Sequence, residues 1–246
     1  MDVRVPHRWD VSPSEAAQLQ LELRDRLNTR PDFGAIRSVA GADIALAPLG
    51  PDPRAQREAI AYAGVIVYRF PELTELERQS AVRRVTFPYV PGLLAFREGP
   101  ALLEAFGKLR HEPDLLLFDA HGYSHPRRFG LACHLSVVLE KPGIGVAKSV
   151  LVGRFDPPAN RVGAWSPLVD AGETIGAVLR TRARVQPVFI SLGHRVDLAS
   201  AVELALACCD GFRIPKPTRE ADHFVGQLKR GQADTRQRGK PQAELF

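Results

Sequence analysis

Three apolar-rich stretches, residues 36–46, 59–70 and 73–87, follow one another early in the chain and read as successive strands. The first is mostly apolar but carries an acid, Asp43, near its middle; the second is rich in Val, Ile and Tyr; the third alternates enough to leave one face wet. Short links between them predict an antiparallel meander. Ahead of the meander, Ser12-Pro13-Ser14-Glu15 offers an N-cap serine, a proline at the first helical position and a glutamate three residues after the cap. That combination predicts a helix over 13–27. Beyond residue 100 the pattern becomes helix 100–109, strand 115–119, helix 131–139 and strand 144–147, a progression that implies parallel neighbours and right-handed crossovers. A strand over 185–192 and a helix capped by Asp197, running to Cys209 and closed by Gly211, complete the reading. The expected fold class is α/β, with a mixed central sheet of a three-strand antiparallel meander plus parallel strands, flanked by helices.

Composition refines this picture modestly. At 246 residues and 45% hydrophobic, the chain can bury one good core, so a single catalytic domain over 1–216 is expected. From Pro215 onward the sequence turns polar, with Pro217, Gly226, Gly231 and Gly239 among scattered charges, which predicts a flexible tail over 217–246. Cys133, Cys208 and Cys209 read as reduced thiols in or near the core. No charged-then-apolar leader opens the chain and no apolar run approaches the ~18 residues needed to cross a bilayer, so a cytoplasmic protein without membrane contact is expected; a monomer is expected as well. The formal charge of +5, with Arg well ahead of Lys, makes nucleic acid a candidate partner.

The densest chemistry follows the strand 115–119. Asp119 ends it, and His121-Gly122-Tyr123-Ser124-His125-Pro126-Arg127-Arg128 comes directly behind. Ligands gather at the carboxyl ends of such strands. With the first meander strand lying beside this one, Asp43 and Asp119 would project toward one point, and a Mg²⁺ ion would relieve their repulsion. Glu98, in Phe96-Arg97-Glu98-Gly99-Pro100 at a helix start, is a third acid able to reach the same ion. Singly, each acid also fits a structural role: Asp43 a paired core acid, Asp119 a strand-end cap, Glu98 a helix N-terminal charge. Lys148 ends the next parallel strand and could hold a scissile phosphate, while His125 and His194 stand on two further strand-end loops, able to contact phosphate or handle protons. In Pro88-Tyr89-Val90-Pro91-Gly92 two prolines stiffen a loop that presents an aromatic ring, suited to stacking on a base or wedging between bases; an ordinary turn with Tyr89 in the core is the alternative.

These segments together resemble the endonuclease V family, repair nucleases that act on deaminated bases. The resemblance runs from about Val39 to Thr218, through Ala40-Gly41-Ala42-Asp43, Pro88-Tyr89-Val90-Pro91-Gly92, Phe96-Arg97-Glu98, the His121–Arg128 block, Ile144-Gly145-Val146-Ala147-Lys148-Ser149 and Gly193-His194-Arg195. It implies a ribonuclease H-like fold and Mg²⁺-dependent nicking, with Mn²⁺ as a substitute, at the second phosphodiester 3′ to deoxyinosine, leaving 3′-hydroxyl and 5′-phosphate ends. It also implies Asp43 and Asp119 as metal ligands, Glu98 as the third acid, Lys148 as the catalytic lysine, and His125 and His194 as active-site histidines. Tyr89, with Pro88, Val90 and Pro91, would form the strand-separating wedge, and His121 and Gly122 would lie at the substrate. One departure is Ala120, where the family usually has Gly; its Cβ would narrow the space beside the metal.

At the end of the chain, Gln242, Leu245 and Phe246 resemble the short peptides with which bacterial DNA-processing proteins bind the sliding clamp. Two rival functions remain open: an endoribonuclease specific for inosine in RNA, and a nucleic-acid-binding module without catalysis. A metallophosphoesterase built on Asp119-Ala120-His121 lacks the other ligand motifs of such enzymes.

Overall fold

A computed structural model describes residues 1, 3–49 and 58–238. The meander is β1 (Ser38–Pro48), β2 (Ala59–Arg69) and β3 (Glu75–Val85), antiparallel throughout, with Asp43 opposite Gly64. β4 (Leu115–Phe118) adds parallel to β1, and β5 (Gly143–Ala147) parallel to β4. Asp114 pins the β1–β4 register, its carboxylate accepting from the Ser38 N–H and hydroxyl and from the Arg37 N–H. Two strands go beyond the sequence expectation, β6 (Trp165–Asp170) and β7 (Glu173–Leu179); Pro167 and Gly176 interrupt their apolar pattern. With β8 (Val188–Leu192) the sheet order is β3-β2-β1-β4-β5-β8-β7-β6. β8 runs antiparallel to β5, a point that decides the fate of His194.

Strand alternation divides the core in two. Ala40, Ala42, Leu116 and Phe118 face a cluster shared with α2 (Leu94–Gly107) and α3 (Leu131–Leu139), while Val39, Leu115, Leu117 and Val146 face one shared with α4 (Leu198–Ala207). The N-terminal helix α1 (Pro13–Arg24) packs on α3 and begins with the expected capping box between Ser12 and Glu15. Asp197 caps α4 by accepting from the Ser200 N–H at 2.8 Å. The three cysteines are free thiols. No helix among the described residues is long and apolar enough to cross a membrane.

Two expectations require correction. α2 starts at Leu94, six residues ahead of Pro100, because Ala95 and Phe96 bury themselves against the core; Pro100 sits inside the helix, and Glu98 lies within it instead of at its start. More consequentially, residues 216–238, which composition assigns to a flexible tail, form helix α5 (Lys216–Arg238) docked on β1 and β2. Thr218, Ala221 and Val225 are buried, so a narrow apolar stripe holds a helix whose average composition is polar. The sheet is shaped to receive it. A Cβ on Gly41 would lie 2.0 Å from the Pro217 carbonyl oxygen, and one on Gly64 would lie 2.7 Å from a Val225 methyl. The clamp-binding residues Gln242, Leu245 and Phe246 lie outside the described residues.

Candidate active site

The carboxyl edge of β4 and β5 is where the charges converge. Asp43 projects from β1 and Asp119 follows β4, as the parallel register requires, and α5 lowers Asp222 onto the pair; ligand oxygens of the three lie within 4.8 Å of one another. Sequence reasoning misses Asp222 because its segment has the composition of a tail. The apolar spacing of Thr218, Ala221, Phe224 and Val225 is the signal that could have found it.

Lys148, just past β5, places its Nζ 2.5 Å from Asp119 and 3.1 Å from Asp222. Arg213 fixes the backbone there, donating to the carbonyls of Lys148 at 2.8 Å, Pro187 at 2.9 Å and Gln186 at 2.9 Å. One ammonium does not neutralise the site. Burial, then repulsion from Asp119, pushes Asp43 up to about 7, against a hydrogen bond from the Ile44 N–H. Burial, then the charge on Asp43, pushes Glu98 up to about 8, with Arg97 opposing. Burial also raises Asp119, outweighing its contact with Lys148. Burial works against the charge on Lys148, but Asp119 and Asp222 prevail and raise it to about 12. Burial is the larger cause at each carboxylate and mutual repulsion the smaller, and a divalent cation would offset both. The donors are hard oxygens, fitting Mg²⁺ or Mn²⁺ and not a structural zinc site.

Beside this cluster, the loop after β3 holds Tyr89 with 57% of its surface exposed, not tucked into the core. Tyr89, Val90, Pro91 and Gly92 form one wall of a largely apolar pocket of about 150 Å³, with His121, His125, Gly130 and Leu151 among the others. His125 braces the loop: its Nε2 lies 3.1 Å from the Gly92 carbonyl, and its Nδ1 accepts from the Arg127 N–H. Arg127 donates to the same carbonyl at 2.7 Å and to Gln20. Burial, with Arg127 nearby, lowers His125 to about 4, so it is neutral in this bracing role. Burial likewise lowers His121 to about 4; its Nδ1 lies 2.9 Å from the Ser124 hydroxyl. Gly122 is buried and packs tightly, since a Cβ there would lie 2.2 Å from the Leu192 carbonyl oxygen; its own carbonyl accepts from the N–H of Gly130, which lines the pocket. Ala120 is accommodated: it is 8% exposed and belongs to the core cluster under α2 and α3.

His194 falls elsewhere. Because β8 is antiparallel, its carboxyl end meets the start of β5, and the His194 carbonyl accepts from the Gly143 N–H. At ~3.3 Å per residue, the length of β5 puts His194 roughly 15 Å from the Lys148 end. Its Nδ1 accepts from the Asn28 N–H at 3.1 Å, and burial followed by Arg195 lowers its pKa to about 4.

Sequence and structure comparisons converge on one family. The endonuclease V family model matches residues 20–223. The chain belongs to the endonuclease V family. It is 47% identical over 221 residues to endonuclease V of Roseiflexus castenholzii, covering 90% of this chain and 95% of the relative. The crystal structure of endonuclease V from Bacillus subtilis superposes with a TM-score of 0.88 at 34% identity, over 96% of this chain and 100% of that one. Ciona intestinalis endonuclease V, crystallised with a 24mer DNA containing an inosine followed by a ribo-adenosine, matches at TM-score 0.73 and 25% identity, over 88% of this chain and 98% of that one. The family-matched region reaches into α5 and includes Asp222.

Proposed function

We propose that this protein is a DNA repair endonuclease that nicks the strand carrying a deaminated base, deoxyinosine, at the second phosphodiester on its 3′ side, leaving 3′-hydroxyl and 5′-phosphate ends. The observation that carries this reading is the convergence of Asp43, Asp119 and Asp222 beside Lys148, next to an exposed aromatic loop over a small apolar pocket. Asp43, Asp119 and Asp222 would hold the metal, with Mg²⁺ the expected ion and Mn²⁺ a substitute. When bound, the ion supplies positive charge for a phosphodiester hydrolysis that water carries out.

The protein's own groups do the rest. Tyr89 inserts into the stack and the deaminated base turns out into the adjoining pocket, where water is excluded. The neutral His125, with Arg127, holds the Gly92 carbonyl and so keeps the wedge from folding back. Lys148, free to leave Asp222 for the substrate, pairs with the phosphate being cut, its charge secured by Asp119. Glu98, half-buried and raised in pKa beside Asp43, takes a proton readily and would exchange one with the attacking water.

The test is nicking of an inosine duplex with Mg²⁺, with EDTA, and with metal restored, alongside a matched RNA strand. Metal-dependent cleavage of DNA at the second 3′ phosphodiester is the expected result. Cleavage of RNA alone would replace the reading with an inosine endoribonuclease, and binding without cleavage would replace it with a non-catalytic module. Recruitment to a sliding clamp through Gln242, Leu245 and Phe246 rests on the sequence; clamp binding that survives removal of Leu245 and Phe246 would refute it.

A further inference from the structure

The wedge loop separates two cavities of opposite character. On one side lies the apolar pocket of about 150 Å³. On the other, between the end of β3, the start of α2 and the segment around Trp9, is a cleft of about 410 Å³ whose lining includes Arg83, Arg84, Arg97 and Pro88. It opens at the same sheet edge as Asp119, since the last residue of β3 pairs with the first of β2, which pairs with the last of β1.

The lining carries three arginines and one carboxylate, Asp10. Arg83 lies on the α2 face of β3, opposite Ala61, and Arg84 on the other face, opposite Ile60, so the two guanidinium groups flank the end of the strand. Arg97 is 3% exposed; its Nη1 donates to the Phe87 carbonyl, and its Nε has no partner among the described residues. Arg83 and Arg84 are more than half exposed and rest on exposed carboxylates, Glu104 at 3.7 Å and Glu58 at 2.5 Å. Such surface pairs hold their partners weakly, so both guanidinium groups can exchange a carboxylate for a phosphate, which they bind in bidentate fashion.

We propose that this cleft is a backbone-phosphate subsite: Arg83, in a wall made positive by Arg97, holds a phosphodiester of the duplex arm on the β3 side of Tyr89, and Arg84 holds a neighbouring one from the other face of the strand end. The subsite is separate from the phosphate that is cut, and it rests on the DNA-nicking reading above. It gives the wedge a fixed point: an aromatic ring driven between bases parts them only when the flanking backbone is held against recoil. Because the interaction is with backbone, it contributes equally with and without the lesion.

The experiment compares wild type with the double substitution Arg83→Gln and Arg84→Gln. Binding of an inosine duplex and of the same duplex without inosine is measured across a salt series in EDTA, where no strand is cut. The variant is expected to bind both duplexes roughly tenfold more weakly, with a slope of log K against log salt shallower by about 0.9 for each phosphate no longer neutralised. Nicking at saturating substrate with Mg²⁺ should fall as well, because the wedge has lost its fixed point. The pair Arg83→Lys and Arg84→Lys should keep the wild-type slope, which separates loss of phosphate neutralisation from damage to the fold. An unchanged affinity and slope in the glutamine variant, with wild type still nicking inosine DNA, overturns the subsite alone. Wild type that nicks no inosine DNA overturns the functional reading beneath it.

Discussion

Asp119 and His194 occupy the same place in the sequence pattern, each just beyond a short apolar strand and among polar, turn-forming residues, yet they lie on opposite edges of the sheet. β4 runs parallel to β1, so Asp119 meets Asp43; β8 runs antiparallel to β5, so His194 meets the start of that strand and the Asn28 N–H. Identical local patterns therefore led to one acid in a cluster of carboxylates and one imidazole in a structural hydrogen bond. Strand direction is set by long-range pairing, and nothing within either segment encodes it.

Substitutions at the two edges should separate just as sharply. The largest effect is expected at the acid cluster: Asp222→Asn, like Asp119→Asn, lowers the nicking rate on an inosine duplex by about 10³-fold or more while lesion binding stays measurable. A normal rate for Asp222→Asn would remove α5 from the active site. Next comes the seat beneath that helix. Gly41→Ala forces the Pro217 backbone away and should cost about 1–3 kcal/mol in urea unfolding, with a fall in nicking because Asp222 moves. Full activity in that variant would show that the helix tolerates displacement. Tyr89→Ala should weaken lesion binding roughly tenfold, the scale of a single base–aromatic stack, and slow nicking in parallel.

The smallest catalytic effect belongs to the other edge: His194→Gln should leave nicking within about twofold of wild type. Its consequence is for stability. His194 has a folded pKa of about 4 against an ordinary value of 6.5, so below pH 6.5 the unfolded chain takes up the proton first. The stability it contributes is complete above 6.5 and declines as pH falls toward 4. Urea midpoints between about pH 7 and pH 4 should drop less steeply in His194→Gln than in wild type. A large loss of nicking near neutral pH would return His194 to the active site.

Much of the architecture is legible because its signals are local. The Ser12–Glu15 capping box, the Asp197 cap, the meander and the buried run before Asp119 all form as their patterns dictate. Asp43, Asp119 and Lys148 can be brought together from one assumption, a parallel β1–β4–β5 register, and the sheet has that register. Asp222 cannot, because composition averages over a helix whose buried stripe is only a few residues wide. The β6–β7 hairpin escapes for a related reason: Pro167 and Gly176 break a pattern that pairing with β8 nonetheless satisfies. His125 is legible as a site residue but not in its work, since its hydrogen bond to Gly92 depends on a loop 33 residues away.

The glycine seat on β1 and β2 has a consequence for the order in which the protein is made. Asp43 is made well before Asp222, so a nascent chain carries the sheet before it carries the third carboxylate. Until α5 settles onto Gly41 and Gly64, the acid cluster is incomplete. Under the proposed function, nicking therefore waits until α5 has docked on the sheet.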